Sequence, residues 1–224
     1  MFRPGRDKGI ATPIPLGFAA LATTTFLMGI GLIFQAPAAW GPYFLQAVFV
    51  GGLAQLLAGM WSFAYGDPLA ATAFSFLGGF FMYWGVSGLP LAGIHTAALA
   101  SFMSMGLVCI VVGVVTGYIW IASFNESAAF NATMLFLWIS FVLSGIALFS
   151  AIGVIATIAG ISAVVSGLIA AYASFAELYN ASIMSEVVPV GEPEEVRTRS
   201  MCEEQERLRR LHAPNGMHEV PGHA

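Results

Sequence analysis

Hydrophobic positions in this chain come in long unbroken runs, not in alternation. Six runs stand out between residues 16 and 179: 16–34, 43–65, 69–89, 95–122, 128–149 and 152–178. Each is about the length that a helix rising ~1.5 Å per residue needs to cross a ~30 Å hydrocarbon core. Polar or proline-bearing breaks separate them: Gln35 to Pro42, Gly66-Asp67-Pro68, Pro90, and Ser123 to Ser127. The fifth and sixth runs nearly merge. Residues 154–173 alone are long enough to span, so two helices with a boundary near Ser150 are predicted. The first run is entered through Thr12-Pro13-Ile14-Pro15, and proline suits a first helical turn, where its missing N–H has no partner to lose. In lipid the backbone must satisfy itself, which leaves helices or closed barrels. Runs without period-two alternation choose helices. The predicted fold is an all-α integral membrane protein, a bundle of six transmembrane helices.

Composition sharpens this picture. The chain has 224 residues, 58% hydrophobic and 9% charged, with a mean hydropathy of +0.82. Soluble domains carry about 25% charged residues, so this chain lacks the charge to cover a watery surface. The distribution of charge predicts topology. Arg3, Arg6 and Lys8 precede the first run, and Arg197, Arg199, Arg207, Arg209 and Arg210 follow the last; no internal loop holds Lys or Arg. Basic flanks stay cytoplasmic, so both ends are expected inside, which requires an even number of spans. The expected organisation is a cytoplasmic segment 1–15, a membrane domain 16–180 and a cytoplasmic polar tail 181–224 with a helical-looking piece at 194–211, in a multi-pass protein of the cell (plasma) membrane. The first run belongs to a continuing series and reads as a membrane helix, not a removable signal. The formal charge of −4 is small and tail-bound, which argues against nucleic-acid binding. Cys109 and Cys202 make no disulfide framework.

Candidate chemistry is defined first by what is missing. Between Gly9 and Asn180 the carboxylates are Asp67, Glu126 and Glu177, each near a predicted helix end, and His95 is the one histidine. No cluster has metal-ligand spacing, and no nucleophile–base pair can be assembled within the membrane. No enzyme, cofactor or metal is expected, and a buried carboxylate relay of the kind used by pumps is absent. Glycine and alanine instead fill the runs, which suits close helix packing and would equally suit a narrow path through the bundle. Gln55, in the middle of the second run, is either inter-helix glue or a pore-lining amide. Thr24 and Thr72 are further candidate polar path residues. Trp40, Trp61, Tyr65 and Tyr83 read as interfacial anchors, His95 as interfacial, and Glu177 and Asn180 as solvating the end of the last helix.

Several blocks then occur in an order that resembles one family, the succinate–acetate permeases (acetate uptake transporters). Thr12-Pro13-Ile14-Pro15-Leu16-Gly17-Phe18 looks like the signature Asn-Pro-Ala-Pro-Leu-Gly-Leu, followed by Thr24-Thr25-Phe26. Gly51 to Gly59 is similar to the family's second-helix block, and Gly66-Asp67-Pro68 leading to Thr72-Ala73-Phe74 resembles its Gly-Asn…Thr-Ala-Phe run. Ala171-Tyr172, Glu177 to Asn180 and Val188-Pro189-Val190-Gly191-Glu192 resemble its closing helix and Leu-Pro-Ile-Gly-Glu. The resemblance covers about residues 12–192 and is weakest over 90–127. It implies a six-helix protomer, a homohexamer and a path for acetate or succinate through each protomer. It further implies an apolar constriction from helices one, three and five, whose matching positions here are Leu21, Leu77 and Ile139. Two of these lose the family's aromatic ring, Thr12 stands for the signature Asn, and Ser62 stands where an acidic residue often occurs.

A bare carboxylate sheds costly hydration on entering an apolar constriction, so the constriction should favour a protonated acid or a brief, partly hydrated passage. The leading expectation is a transporter or channel for small carboxylates, proton-linked or channel-like. A pore for a neutral solute such as urea, short amides or ammonia is the alternative, and a non-transporting scaffold or sensor working through the tail is a third. Expected partners are the small carboxylate, the lipid bilayer and other copies of the chain.

Overall fold

A computed structural model describes residues 11–35, 41–88, 102–183, 185 and 187–191. Six helices in it are long and apolar enough to cross a membrane. They are α1 (Ile14–Phe34), α2 (Pro42–Tyr65), α3 (Pro68–Gly88), α4 (Phe102–Ala122), α5 (Ala128–Ser150) and α6 (Gly153–Ile183). Their bounds follow the predicted runs closely. His95 and Trp40, the tails before residue 11 and beyond 191, and the predicted helical piece at 194–211 lie outside the described residues.

Local chemistry explains where each helix starts and stops. Proline opens α1 within its first turn, and Gln35, left-handed at φ 47°, closes it. The Gln35 amide donates to the Gly153 carbonyl at 3.0 Å, tying the end of α1 to the start of α6. Gly66 takes φ 92° between α2 and α3, a conformation that a residue without Cβ adopts freely. Asp67 Oδ1 then accepts the Ala70 N–H at 2.9 Å, capping α3. Ser127 caps α5 by accepting the Phe130 N–H at 3.2 Å. The boundary near Ser150 is real: Ala151 turns left-handed at φ 55°, ending α5 two residues before α6 begins. One irregularity has no counterpart in the sequence pattern. The middle of α2, Ala47–Ala54, is π-helical, and regular α geometry resumes at Gln55. Such wide turns are rare and concentrate at functional positions.

The helices close into a ring in the order α1, α6, α5, α4, α3, α2. Contacts are broad everywhere except between α3 and α4, which meet narrowly and leave an apolar groove of about 610 Å³ lined by residues such as Phe76, Phe80, Val108 and Val112. Small residues set the tightest seam. A Cβ built on Gly29 would lie 2.6 Å from the Gly160 carbonyl, and one on Gly160 2.7 Å from that of Gly29, so α1 and α6 touch backbone to backbone.

The outward faces are apolar. Met103, Leu107, Val111, Val114, Tyr118 and Ile121 form one exposed stripe down α4. Val154, Ile158, Ile161, Leu168 and Phe175 do the same on α6. A soluble monomer seldom exposes contiguous apolar patches beyond a few hundred Å², whereas lipid requires such a surface. The chain is a multi-pass membrane protein.

Candidate functional site

The centre of the bundle is an apolar cluster built from α1, α3, α4, α5 and α6. Leu21, Leu77 and Leu137 belong to it and are fully buried, with Phe18, Phe74, Phe81 and Phe141 around them. Two of the three predicted constriction residues are therefore brought into one core. Ile139 is not: it is half-buried and outside the cluster. A step of two residues turns an α-helix by about 200°, so Ile139 and Leu137 cannot face the same way, and it is Leu137, with Met134 and Phe141, that shares the cluster with Leu21 and Leu77. Edge-on rings flank the cluster on the side where α1 begins, Phe18 to Phe74 at 5.4 Å and Phe18 to Phe130 at 5.5 Å between centroids. On the other side Phe80 meets Phe141 at 5.0 Å.

The candidate polar path residues separate in the same manner. Thr24 is buried; its hydroxyl donates to the Ala20 carbonyl at 2.9 Å and accepts from Gln46 Nε2 at 3.0 Å, joining α1 to α2. Gln55 is fully buried, and neither its Oε1 nor its Nε2 has a partner among the described residues. Its level follows from the glycines beside it: Gly51 faces Thr24, and Gly78 faces Leu56 with 2.7 Å from a built Cβ to the Leu56 nitrogen. Gln55 thus lies within about one helical turn of Leu21 and Leu77. Thr72 differs. It sits on the exposed face of α3, its hydroxyl donating to the Pro68 carbonyl at 2.8 Å, so it points away from the interior.

Most other buried hydroxyls are closed. Thr25, Ser62, Thr116 and Thr133 each donate to the carbonyl four residues earlier at 2.8–2.9 Å. Ser162 and Ser166 donate from α6 to the carbonyls of Phe136 and Thr133 at 2.8 and 2.9 Å. The hydroxyls of Ser140 and Ser144, and that of Ser75 at the α3–α4 groove, have no partner among the described residues. A buried polar group left unpaired costs about 1–3 kcal/mol, which sets the amide of Gln55 and these hydroxyls apart from the closed ones. Charge is absent there: among the described residues there is no Lys or Arg, and Asp67, Glu126 and Glu177 all lie at or near helix ends. No group of three His, Cys, Asp or Glu among the described residues could hold a metal.

The signature block builds a joint. Pro13 and Pro15 are buried, Thr12 Oγ1 accepts the Ile14 N–H at 3.4 Å, and the Pro15 carbonyl accepts from Ser174 of α6 at 2.8 Å. Gly17 faces the Phe74 ring with no room for a Cβ, while Leu16 is exposed. The closing block is a second joint that sequence reasoning missed. Asn180 does not solvate a helix end. Its Oδ1 accepts the N–H groups of Val187 and Val188 at 3.0 and 2.9 Å, and its Nδ2 donates to the Val188 carbonyl at 2.8 Å. Tyr172 donates to the Pro189 carbonyl at 2.6 Å, and Gly191, at φ 75°, accepts the Ala128 N–H at 2.9 Å. Residues 187–191 thereby strap α6 to the start of α5. Glu177 and Tyr65, expected at watery boundaries, are buried; Trp61 and Tyr83 are exposed as anchors should be.

This arrangement of blocks matches one family over nearly the whole length: the pattern of the GPR1/FUN34/yaaH family fits residues 2–192. The chain belongs to the GPR1/FUN34/yaaH family. It is 33% identical over 160 residues to acetate permease A of Emericella nidulans, covering 65% of this chain and 53% of that protein, so it matches about half of that relative's length. It is 26% identical over 184 residues to the succinate-acetate/proton symporter SatP of Escherichia coli K12, covering 82% of this chain and 96% of that one. The solved structure of the bacterial acetate channel SatP superposes with a TM-score of 0.73 at 24% identity, covering 81% of this chain and 99% of that chain, a likeness of fold. Each of these proteins is named for the passage of acetate and none for a catalysed reaction.

Proposed function

We propose that the chain passes small carboxylates, acetate foremost and succinate second, across the membrane through the middle of its own bundle, moving them as the neutral acid and so linking their passage to protons. One observation carries the reading: Leu21, Leu77 and Leu137, fully buried on three helices, belong to one apolar core cluster, and the amide of Gln55, within about one helical turn of the first two, has no partner among the described residues. An apolar closure of this kind penalises an anion steeply and a neutral acid little. The amide offers both a donor and an acceptor to a group that needs both. The relatives named for acetate support the substrate class.

The companion parts of the reading are that both ends of the chain face the cytoplasm of a cell-membrane protein, with residues 1–15 and 181–224 outside the 16–180 membrane domain, and that copies assemble as a homohexamer. The confinement of every Lys and Arg to the two tails supports the orientation. The exposed apolar helix faces are compatible with covering by neighbouring copies as well as by lipid. Cysteine labelling of the tails in sealed cells and the mass of the detergent-extracted complex test these two points.

The deciding experiment is acetate uptake into proteoliposomes under an imposed pH gradient, comparing the native chain with Leu21→Trp. Uptake by the native chain, rising as external pH falls at fixed total acetate, and its loss in Leu21→Trp are the expected results. Uptake indifferent to pH removes the neutral-acid route, and no uptake above empty liposomes removes the carboxylate. A second reading, passage of a small neutral solute such as ammonia or urea, is favoured by the absence of Lys and Arg among the described residues. Competition by such solutes in the same assay separates it from the first.

A further inference from the structure

A buried serine in a helix has an easy partner, the carbonyl four residues earlier, and Ser62 takes it at 2.9 Å. Ser140 does not, for a reason visible in its surroundings. The carbonyl it would reach belongs to Phe136, and Ser162 of α6 already donates to that oxygen at 2.8 Å. One lone pair of Phe136 serves the helix and the other serves Ser162, so α6 displaces Ser140 from its habitual acceptor. Ser140 is nonetheless fully buried and Ser144 is 7% exposed, and neither hydroxyl has a partner among the described residues. They stand three and seven positions after Leu137, about 4.5 and 10.5 Å further along the helix. Seven residues return a helix to within about 20° of the same direction, so Ser144 projects from the Leu137 side of α5, and Ser140 stands about 60° away from it.

We propose that Ser140 and Ser144 form a two-rung hydroxyl ladder that passes a small neutral hydrogen-bonding solute, the protonated short-chain acid, to and from the Leu21–Leu77–Leu137 closure. The inference rests on the transport reading above and adds to it the residues that determine specificity on one side of the closure. A hydroxyl both donates and accepts, which matches the paired O–H and C=O of a carboxylic acid. It supplies no positive charge, and among the described residues neither does anything else. The ladder therefore discriminates by protonation state: it satisfies the neutral acid and leaves the anion's charge uncompensated. Two rungs spaced by about a turn also let the solute exchange one hydrogen bond for the next without spending an interval unpaired in an apolar surround.

The test has two arms. In a full-length Cys109→Ala, Cys202→Ala background, Ser140→Cys, Ser144→Cys and Ile139→Cys are exposed in proteoliposomes to a small water-soluble methanethiosulfonate. Reaction at 140 and 144, slowed by acetate at low pH, with little reaction at 139, is expected. Reaction at 140 and 144 no faster than at 139 overturns the ladder and leaves the transport reading untouched. Reaction at both that acetate does not slow makes the region a water-filled vestibule only and overturns it as well. Because reactivity does not depend on flux, failure of acetate uptake by the native chain would be seen separately.

In the second arm Ser140→Ala and Ser144→Ala lower acetate uptake about threefold each and about tenfold together, as the loss of one and two uncharged hydrogen bonds to the solute implies. Thermal stability in detergent stays level or rises, since no bond within the protein is lost. Ser166→Ala, which removes a bond to the Thr133 carbonyl, behaves in the opposite way, losing stability and keeping its rate per folded protein. Native uptake in the double variant, or a stability loss like that of Ser166→Ala, overturns the ladder.

Discussion

On the side of the bundle where α1 begins and α6 ends, Ser62, Thr133, Ser166 and Ser174 each give their hydroxyl proton to a backbone carbonyl at 2.8–2.9 Å, and Phe18, Phe74 and Phe130 interlock edge to face. Past Leu137, toward the other side, Ser140 and Ser144 are also buried and bond to none of the described residues; at the level of the leucines Gln55 is in the same position. The two regions have similar composition, so the difference is one of wiring. The first spends its polar groups on holding helices in register, with the Pro15–Ser174 bond and the strap 187–191 as further ties. The second keeps donors and acceptors open at a cost of about 1–3 kcal/mol each. On the transport reading proposed above, a passing molecule recovers that cost.

The comparison can be broken most forcefully at the leucines. Leu137→Trp should reduce acetate uptake to the level of empty liposomes, while Ile139→Trp, two residues on and outside the core cluster, should leave it nearly native. Equal effects would mean that α5 does not present Leu137 to a path. Next in size is Gly160→Leu, which drives a side chain toward the Gly29 carbonyl, 2.7 Å from where its Cβ would be. Its expected outcome is a loss of several kcal/mol of stability, read as a lowered melting temperature and reduced yield of folded protein; a native melting curve would show that the α1–α6 seam is not close-packed. Gln55→Leu should cut uptake severely while preserving or raising stability by about 1 kcal/mol, because it deletes two unpaired atoms from the interior. A marked fall in its melting temperature would make the amide structural glue instead. Smallest is Thr72→Ala, which removes an exposed hydroxyl bonded to its own helix and should change neither uptake nor stability measurably.

Much of this protein was legible before any coordinates. The six runs, their breaks at Gly66-Asp67-Pro68 and Ser123 to Ser127, and the division near Ser150 reappear as helix ends with identifiable caps. Where expectation and structure part, the difference lies in which way a side chain faces, not in which helix holds it: Ile139 is half-buried outside the cluster that holds Leu137, Thr72 is exposed, and Glu177 and Tyr65 are buried. The π-helical stretch before Gln55 compounds the difficulty, since it rotates the faces of α2 relative to any regular period. The strap was hidden for a different reason: its bonds join Asn180 and Tyr172 to backbone groups of residues 187–189, and backbone carries no residue-type signal.

What the sequence determined by itself is the solvent and the skeleton: lipid, because the charge and hydropathy admit no other, and six helices, because run length and turn chemistry are local properties. Only the tertiary structure decided which leucines share one core, which amide and hydroxyls stay open among the described residues, and that Ser162 takes the acceptor Ser140 would have used. A helix in water shows its inner face by being apolar on one side. A helix in lipid is apolar all round, so the inside is defined by its neighbours and becomes readable only once they are in place.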